Sequence, residues 1–133
     1  MILKINGDGA YIYVDFTDNN EDFDFEVKIE YHFDSVYISF FTWLCTWDFE
    51  TLLNQLDNLS DQETFKWRSM RGDFQVKCSQ QYNTYFWSIS CYTNLNSDFE
   101  ATHSFHFTMT MNKSQFTECI SDLQSICSGL GKF

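Results

Sequence analysis

Carboxylates are the first residues whose type and spacing could do chemistry. Asp18, Asn20 and Asp22 take positions 1, 3 and 5 of a calcium-loop pattern, where oxygen ligands belong. The sixth position is Phe23 where the turn needs Gly, and the twelfth is Ile29, with Glu30 one residue late. The segment that follows also alternates like a strand, so a solvated acidic loop over Thr17 to Asp22 is the better reading. His103 and His106 have the spacing of a metal pair on a helix, but residues three apart on a strand point to opposite faces. A structural His103 and an exposed His106 are expected.

The five cysteines, Cys45, Cys78, Cys91, Cys119 and Cys127, are widely spaced and form no CxxC. Cys78, Cys91 and Cys119 fall on the apolar phase of their segments, which predicts reduced, buried thiols. A thiol nucleophile needs a His and an orienting group beside it, and no local signature supplies them. The chain has no Gly-rich phosphate loop, no GxSxG and no HExxH. The expectation is a non-enzyme, with no catalytic residue, no cofactor and no metal.

What remains is recognition by charge and by aromatic rings. Nineteen acids against eight bases give a net charge of −11, which disfavours nucleic acid and anionic membrane and favours a basic protein partner. Residues 8–34 hold nine of the acids and one base, Lys28. Asp18, Glu21, Asp22, Asp24, Glu26 and Glu30 are the candidate partner-binding residues, able to occupy a basic cleft by imitating phosphates. Acidic faces also serve solubility and protect strand edges. Tyr11, Tyr13, Phe86 and Tyr92 lie off the core phase and Trp47 sits at a strand-to-helix junction, as rings in a protein-binding surface would. Phe86 and Tyr92 read better as the second face of a sheet covered by helices.

The elements that must carry these residues are legible from periodicity. From Phe23 to Phe33 every odd position is apolar and every even position is charged or His, the period of a half-buried strand. Val36 to Leu44 is apolar in both phases and predicts a more central strand, or one covered on both faces. Earlier, Ile2 to Ile5 and Ala10 to Phe16 flank an Asn6-Gly7-Asp8-Gly9 turn. Phe49, Leu52, Leu53, Leu56 and Leu59 mark one face of a helix capped by Asp48 or Thr46. Strands are then expected over Thr64 to Met70, from Phe74, through Tyr85 to Cys91 and over Glu100 to Met111. A second helix carries Phe116, Cys119, Ile120, Leu123 and Ile126 and stops near Gly129. The two stripes share their offsets, which suits either an internal strands-then-helix repeat or two ordinary amphipathic helices.

At 133 residues, 44% of them apolar, the chain predicts one α+β domain over 1–133. It is a mainly antiparallel sheet of seven to eight strands with two helices packed on it. The N-terminus lacks a signal-peptide pattern and no apolar run spans a bilayer, so a cytoplasmic location is expected.

Phe65-Lys66-Trp67-Arg68-Ser69-Met70-Arg71-Gly72-Asp73-Phe74-Gln75-Val76 resembles the Trp-x-Ser-x-x-Gly-x-apolar-x-apolar stretch of small bacterial proteins, some encoded in toxin–immunity loci. A helix of the Phe49 to Leu59 kind precedes it, and strands ending in a helix follow. The arrangement resembles the WapI-type immunity proteins over about three-quarters of the chain. The resemblance implies a cytoplasmic protein that binds and blocks the toxic domain of a secreted effector, and it supplies no catalytic residues. An acidic monomer or weak dimer that neutralises a basic toxin, such as a nuclease, is the leading expectation. A dimeric acidic secretion chaperone or adaptor and an aromatic-faced carbohydrate-binding module are the alternatives.

Overall fold

The computed structural model describes residues 2–19, 24–94 and 102–130. Strands β1 (Ile2–Asn6), β2 (Ala10–Asn19), β3 (Asp24–Phe33) and β4 (Val36–Cys45) pair antiparallel in chain order, and helix α1 (Thr46–Asp57) follows. Strands β5 (Thr64–Arg68), β6 (Phe74–Gln81), β7 (Thr84–Asn94) and β8 (Thr102–Asn112) repeat that plan, followed by α2 (Lys113–Leu130). The expected α+β architecture is present, and the eight strands among the described residues divide into two four-stranded meanders. Each half is strands and then a helix. Antiparallel neighbours in chain order suit a chain without proline, since every interior strand needs its N–H groups for the ladder.

The period-2 segments bury the faces that their apolar residues occupy. Val27, Ile29 and Tyr31 of β3 meet Ile12 and Val14 of β2, while Val76, Cys78, Trp87, Ile89 and Met109 fill the inner face of the second sheet. Tyr31 stacks on Phe107 at 4.2 Å between ring centroids and Phe40 lies 6.1 Å from Phe105, so the inner faces of the two sheets pack together. On the same side, α2 lays Phe116 on Tyr85 at 3.8 Å. Aromatic stacking therefore carries much of the seam, as the Phe-rich composition implies.

Both helices start at caps. Asn112 Oδ1 accepts from Gln115 N at 2.8 Å and Gln115 Oε1 accepts from Asn112 N at 2.9 Å, a reciprocal box that opens α2. For α1 the N-cap is Cys45 and not Asp48 or Thr46. Asp48 sits three residues inside, where its Oδ2 accepts the Cys45 N–H at 2.8 Å. Its Oδ1 accepts the Met70 N–H at 2.8 Å, which ties the helix start to the β5–β6 turn.

That turn gives the Trp-x-Ser-x-x-Gly stretch a structural meaning. Trp67 is buried and its Nε1 donates to Thr51 Oγ1 of α1 at 2.9 Å. Ser69 Oγ accepts the Phe74 N–H at 3.2 Å, and Gly72 takes a φ of 79° beneath the Arg68 side chain. The motif docks the second sheet on α1.

Two boundaries and the place of one strand differ from expectation. β2 runs through Thr17 to Asn19, past a register shift between Phe16 and Asp18, where an Asp- and Asn-rich loop was expected. β5 ends at Arg68 because Met70 has turned to meet Asp48. β4 is an edge strand of its sheet, not a central one.

Candidate interaction face on the first sheet

The outer face of the first sheet carries the residues that alternate with its core. Register places Lys4 opposite Tyr13, Tyr13 opposite Glu30, Tyr11 opposite His32 and His32 opposite Tyr37, in one band across all four strands. Tyr11 stacks on His32 at 4.5 Å, and the His32 edge meets Tyr37 at 4.8 Å. Lys4 Nζ lies 4.8 Å from the Tyr11 ring and 5.2 Å from that of Tyr13, a cation–π arrangement within the chain.

Glu30 is the hub of this band. Its Oε1 accepts from Lys28 Nζ at 2.9 Å and from the Tyr37 hydroxyl at 2.9 Å, and its Oε2 lies 3.4 Å from His32 Nε2. The Lys28 ammonium, and then the Tyr37 hydroxyl, hold the Glu30 carboxyl below its ordinary pKa, and the Glu30 carboxylate holds Lys28 above its own. The site is partly open to solvent, so it orients rings more than it stabilises the fold.

Backbone register places three of the other candidate acids on β2 and β3. Glu26 is half-buried and pairs in register with Trp43, and Asp18 is the register partner of Glu26. Asp24 opens β3 opposite Cys45. Glu21 and Asp22 lie outside the described residues, as do Asn20 and Phe23 of the calcium-like pattern.

β4 supplies what the sequence reading placed under cover. Tyr37 is 51% exposed and Phe41 56% exposed, and Trp43 on the same face carries the Arg71 guanidinium 5.8 Å from its ring centroid. The expected second covering layer is absent from this face among the described residues, because both helices pack on the inner side. The second apolar phase of Val36 to Leu44 was the available signal. The same correction applies to Phe86 and Tyr92, which are exposed on the outer face of the second sheet. Tyr11 and Tyr13 are half-buried through mutual contact at 4.8 Å, and Trp47 is exposed at the start of α1.

The remaining chemical candidates separate. His106 is exposed and bonded to Ser88 Oγ at 3.2 Å and Ser90 Oγ at 3.0 Å, while the side chain of His103 lies outside what is described. All five cysteines are free thiols. Burial pushes Cys78 and Cys119 up to about 12 and raises Cys91, Cys45 and Cys127, which works against a thiolate nucleophile. Among the described residues no group of three or more His, Cys, Asp or Glu is placed to hold a metal, and no helix is long and apolar enough to cross a membrane.

A family model described as the immunity protein WapI-like family matches residues 2–131. The chain belongs to that family. The match takes in the acidic N-terminal third as well as the Trp67 to Val76 stretch. No curated protein matches this WapI-like chain. Among solved structures it is similar to the plant transcriptional regulator PBF-2, with a TM-score of 0.55 and 13% identity over 98% of this chain and 81% of that one. It is also similar to WHY3 from Arabidopsis thaliana, with a TM-score of 0.53 and 14% identity over 99% and 89% of the two chains. At such identities the likeness is one of fold.

Proposed function

We propose that this WapI-like chain confers immunity without catalysis, by binding the toxic domain of a secreted effector one to one in the cytoplasm, and that it does so through the outer face of the first sheet. Family membership supports the immunity function. The observation that carries the choice of face is the edge strand β4, which leaves Tyr37 and Phe41 exposed beside the ion-paired Glu30 hub. A folded chain gains nothing by exposing large rings, whereas an interface gains apolar area and rigid anchors from them.

Charge and rings have separate roles in this reading. Asp18, Glu21, Asp22, Asp24, Glu26 and Glu30 attract a basic toxin over distance, which sets the association rate and its salt dependence. Tyr37, Phe41 and Trp43 set how long the complex lasts.

The test uses the toxic domain of the cognate effector. Reversing Asp22, Asp24 and Glu26 to Lys slows association and flattens its salt dependence, and Y37A with F41A speeds dissociation by about tenfold or more. An unchanged association rate in the triple reversal sinks the acidic steering. An unchanged dissociation rate in the ring variant sinks the choice of face.

A further inference from the structure

The second sheet segregates charge in the opposite sense. Its four strands contain no Asp or Glu, in a chain with nineteen acids and eight bases, yet they carry Lys66, Arg68 and Lys77. All three are exposed, on the phase opposite buried Phe65, Trp67, Val76 and Cys78. None of them is ion-paired among the described residues. Lys66 and Lys77 are direct register partners, so two ammonium groups share one cross-strand position. Like charges placed so are destabilising, and folding alone gives no reason for the pair. Edge protection accounts for Lys66 and Arg68 on the edge strand β5, but Lys77 is on the interior strand β6.

A groove of about 530 Å³ adjoins Lys77 and is lined by Ser79, Phe86, Ser88, Thr108 and Thr110, with Asp8 at its β8 end. Phe86 is 42% exposed there. Hydroxyl groups along neighbouring strands donate to carboxylates and to peptide carbonyls, and the ring offers an apolar seat. We propose that this face is a second docking surface, separate from the first-sheet face, for an acidic extended polypeptide segment of a partner protein. Carboxylates of the segment pair with Lys66, Arg68 and Lys77, and an apolar side chain rests on Phe86. A polypeptide fits better than nucleic acid. Three cations match a segment that carries two or three spaced carboxylates, whereas they release too few counterions to hold a strand with a charge on every phosphate, which the net charge of −11 repels more strongly.

The test is a titration of the full isotope-labelled chain, followed by amide resonances, with three probes: a peptide of Glu, Phe and Ser, its Gln-for-Glu counterpart, and an oligothymidylate. The expected result is saturable shifts at Lys66, Lys77, Phe86 and Ser88 with the acidic peptide alone, weakened by salt. K66Q with K77Q weakens the acidic peptide about tenfold or more while the melting temperature stays level or rises, because the lysine repulsion is relieved. That variant keeps its affinity for the toxic domain, which separates this proposal from the first-sheet reading. Absence of shifts with the acidic peptide, equal binding of the Gln peptide, or tighter binding of the oligothymidylate overturns the proposal.

Discussion

Asp48 and Met70 are joined by a hydrogen bond of 2.8 Å from the Met70 N–H to a carboxylate that is only 2% exposed. The other oxygen holds the Cys45 N–H at the same distance. One side chain thus starts α1 and fixes the turn that opens the second sheet. Asp48→Ala leaves two backbone donors unpaired, and urea unfolding should show a loss of about 2–4 kcal/mol. Thr51→Val removes the acceptor of the Trp67 indole N–H and should cost about 1–3 kcal/mol in the same assay. The two positions share one small network, so the double variant should lose less than the sum.

Thiol reactivity reports on the core. Cys78, Cys91 and Cys119 are buried and their thiols are shifted upward by burial, so the thiolate fraction near pH 8 is very small. Mass spectrometry after brief alkylation of the native chain should find these three unmodified, and all five cysteines modified in denaturant. Rapid native labelling of Cys78 would contradict the packing described.

The Glu30 hub has a defined pH response. Its carboxyl is held below the ordinary value of 4.5, first by Lys28 and then by Tyr37. A lowered acid contributes stability that is fully present above that ordinary value and is lost as pH falls through the folded one. Carboxyl-carbon NMR should place the Glu30 midpoint below 4.5 and move it upward in Lys28→Met. The Tyr37 ring should lose its fixed position over the same acidic range.

Two glycines of the first turn should respond differently to alanine. A Cβ on Gly7 would stand 2.8 Å from the Thr110 carbonyl oxygen, so the turn must lift off β8, at about 1–3 kcal/mol. A Cβ on Gly9 meets nothing within 4 Å, but its φ of 74° is left-handed, which costs about 1–2 kcal/mol. Amide exchange distinguishes them: only Gly7→Ala should deprotect Asp8, whose N–H bonds to the Thr110 carbonyl at 2.7 Å.

The fold was legible wherever one face is buried and the other wet. Phe23 to Phe33 and Tyr85 to Cys91 alternate because their sheets are covered on one side only, and the stripes of Phe49 and Phe116 repeat because each helix has one seat. β4 misled because exposed Phe41 and buried Phe40 are the same residue type, and hydrophobicity alone does not say whether a second layer exists. The division into two sheets depends on which strands find each other, and periodicity carries no such information. Thr17 to Asn19 read as a loop because Asp and Asn favour turns, while pairing with β3 overrode that preference. The Glu30 hub needed register as well: Lys28 and His32 are neighbours by alternation, but Tyr37 reaches Glu30 only across the hairpin.

The seat of the first turn on β8 governs how this chain is made. Within each half, every strand pairs with the next one to be synthesised, so only short loops need closing and pairing follows synthesis. The bond from Asp8 to Thr110 joins the first hairpin to the last strand, and α2 also rests on β1. On the ribosome the first sheet therefore has its strands in order while Ile12, Val14, Val27 and Ile29 still lack their cover. That sheet keeps an apolar face open to association until α2 emerges.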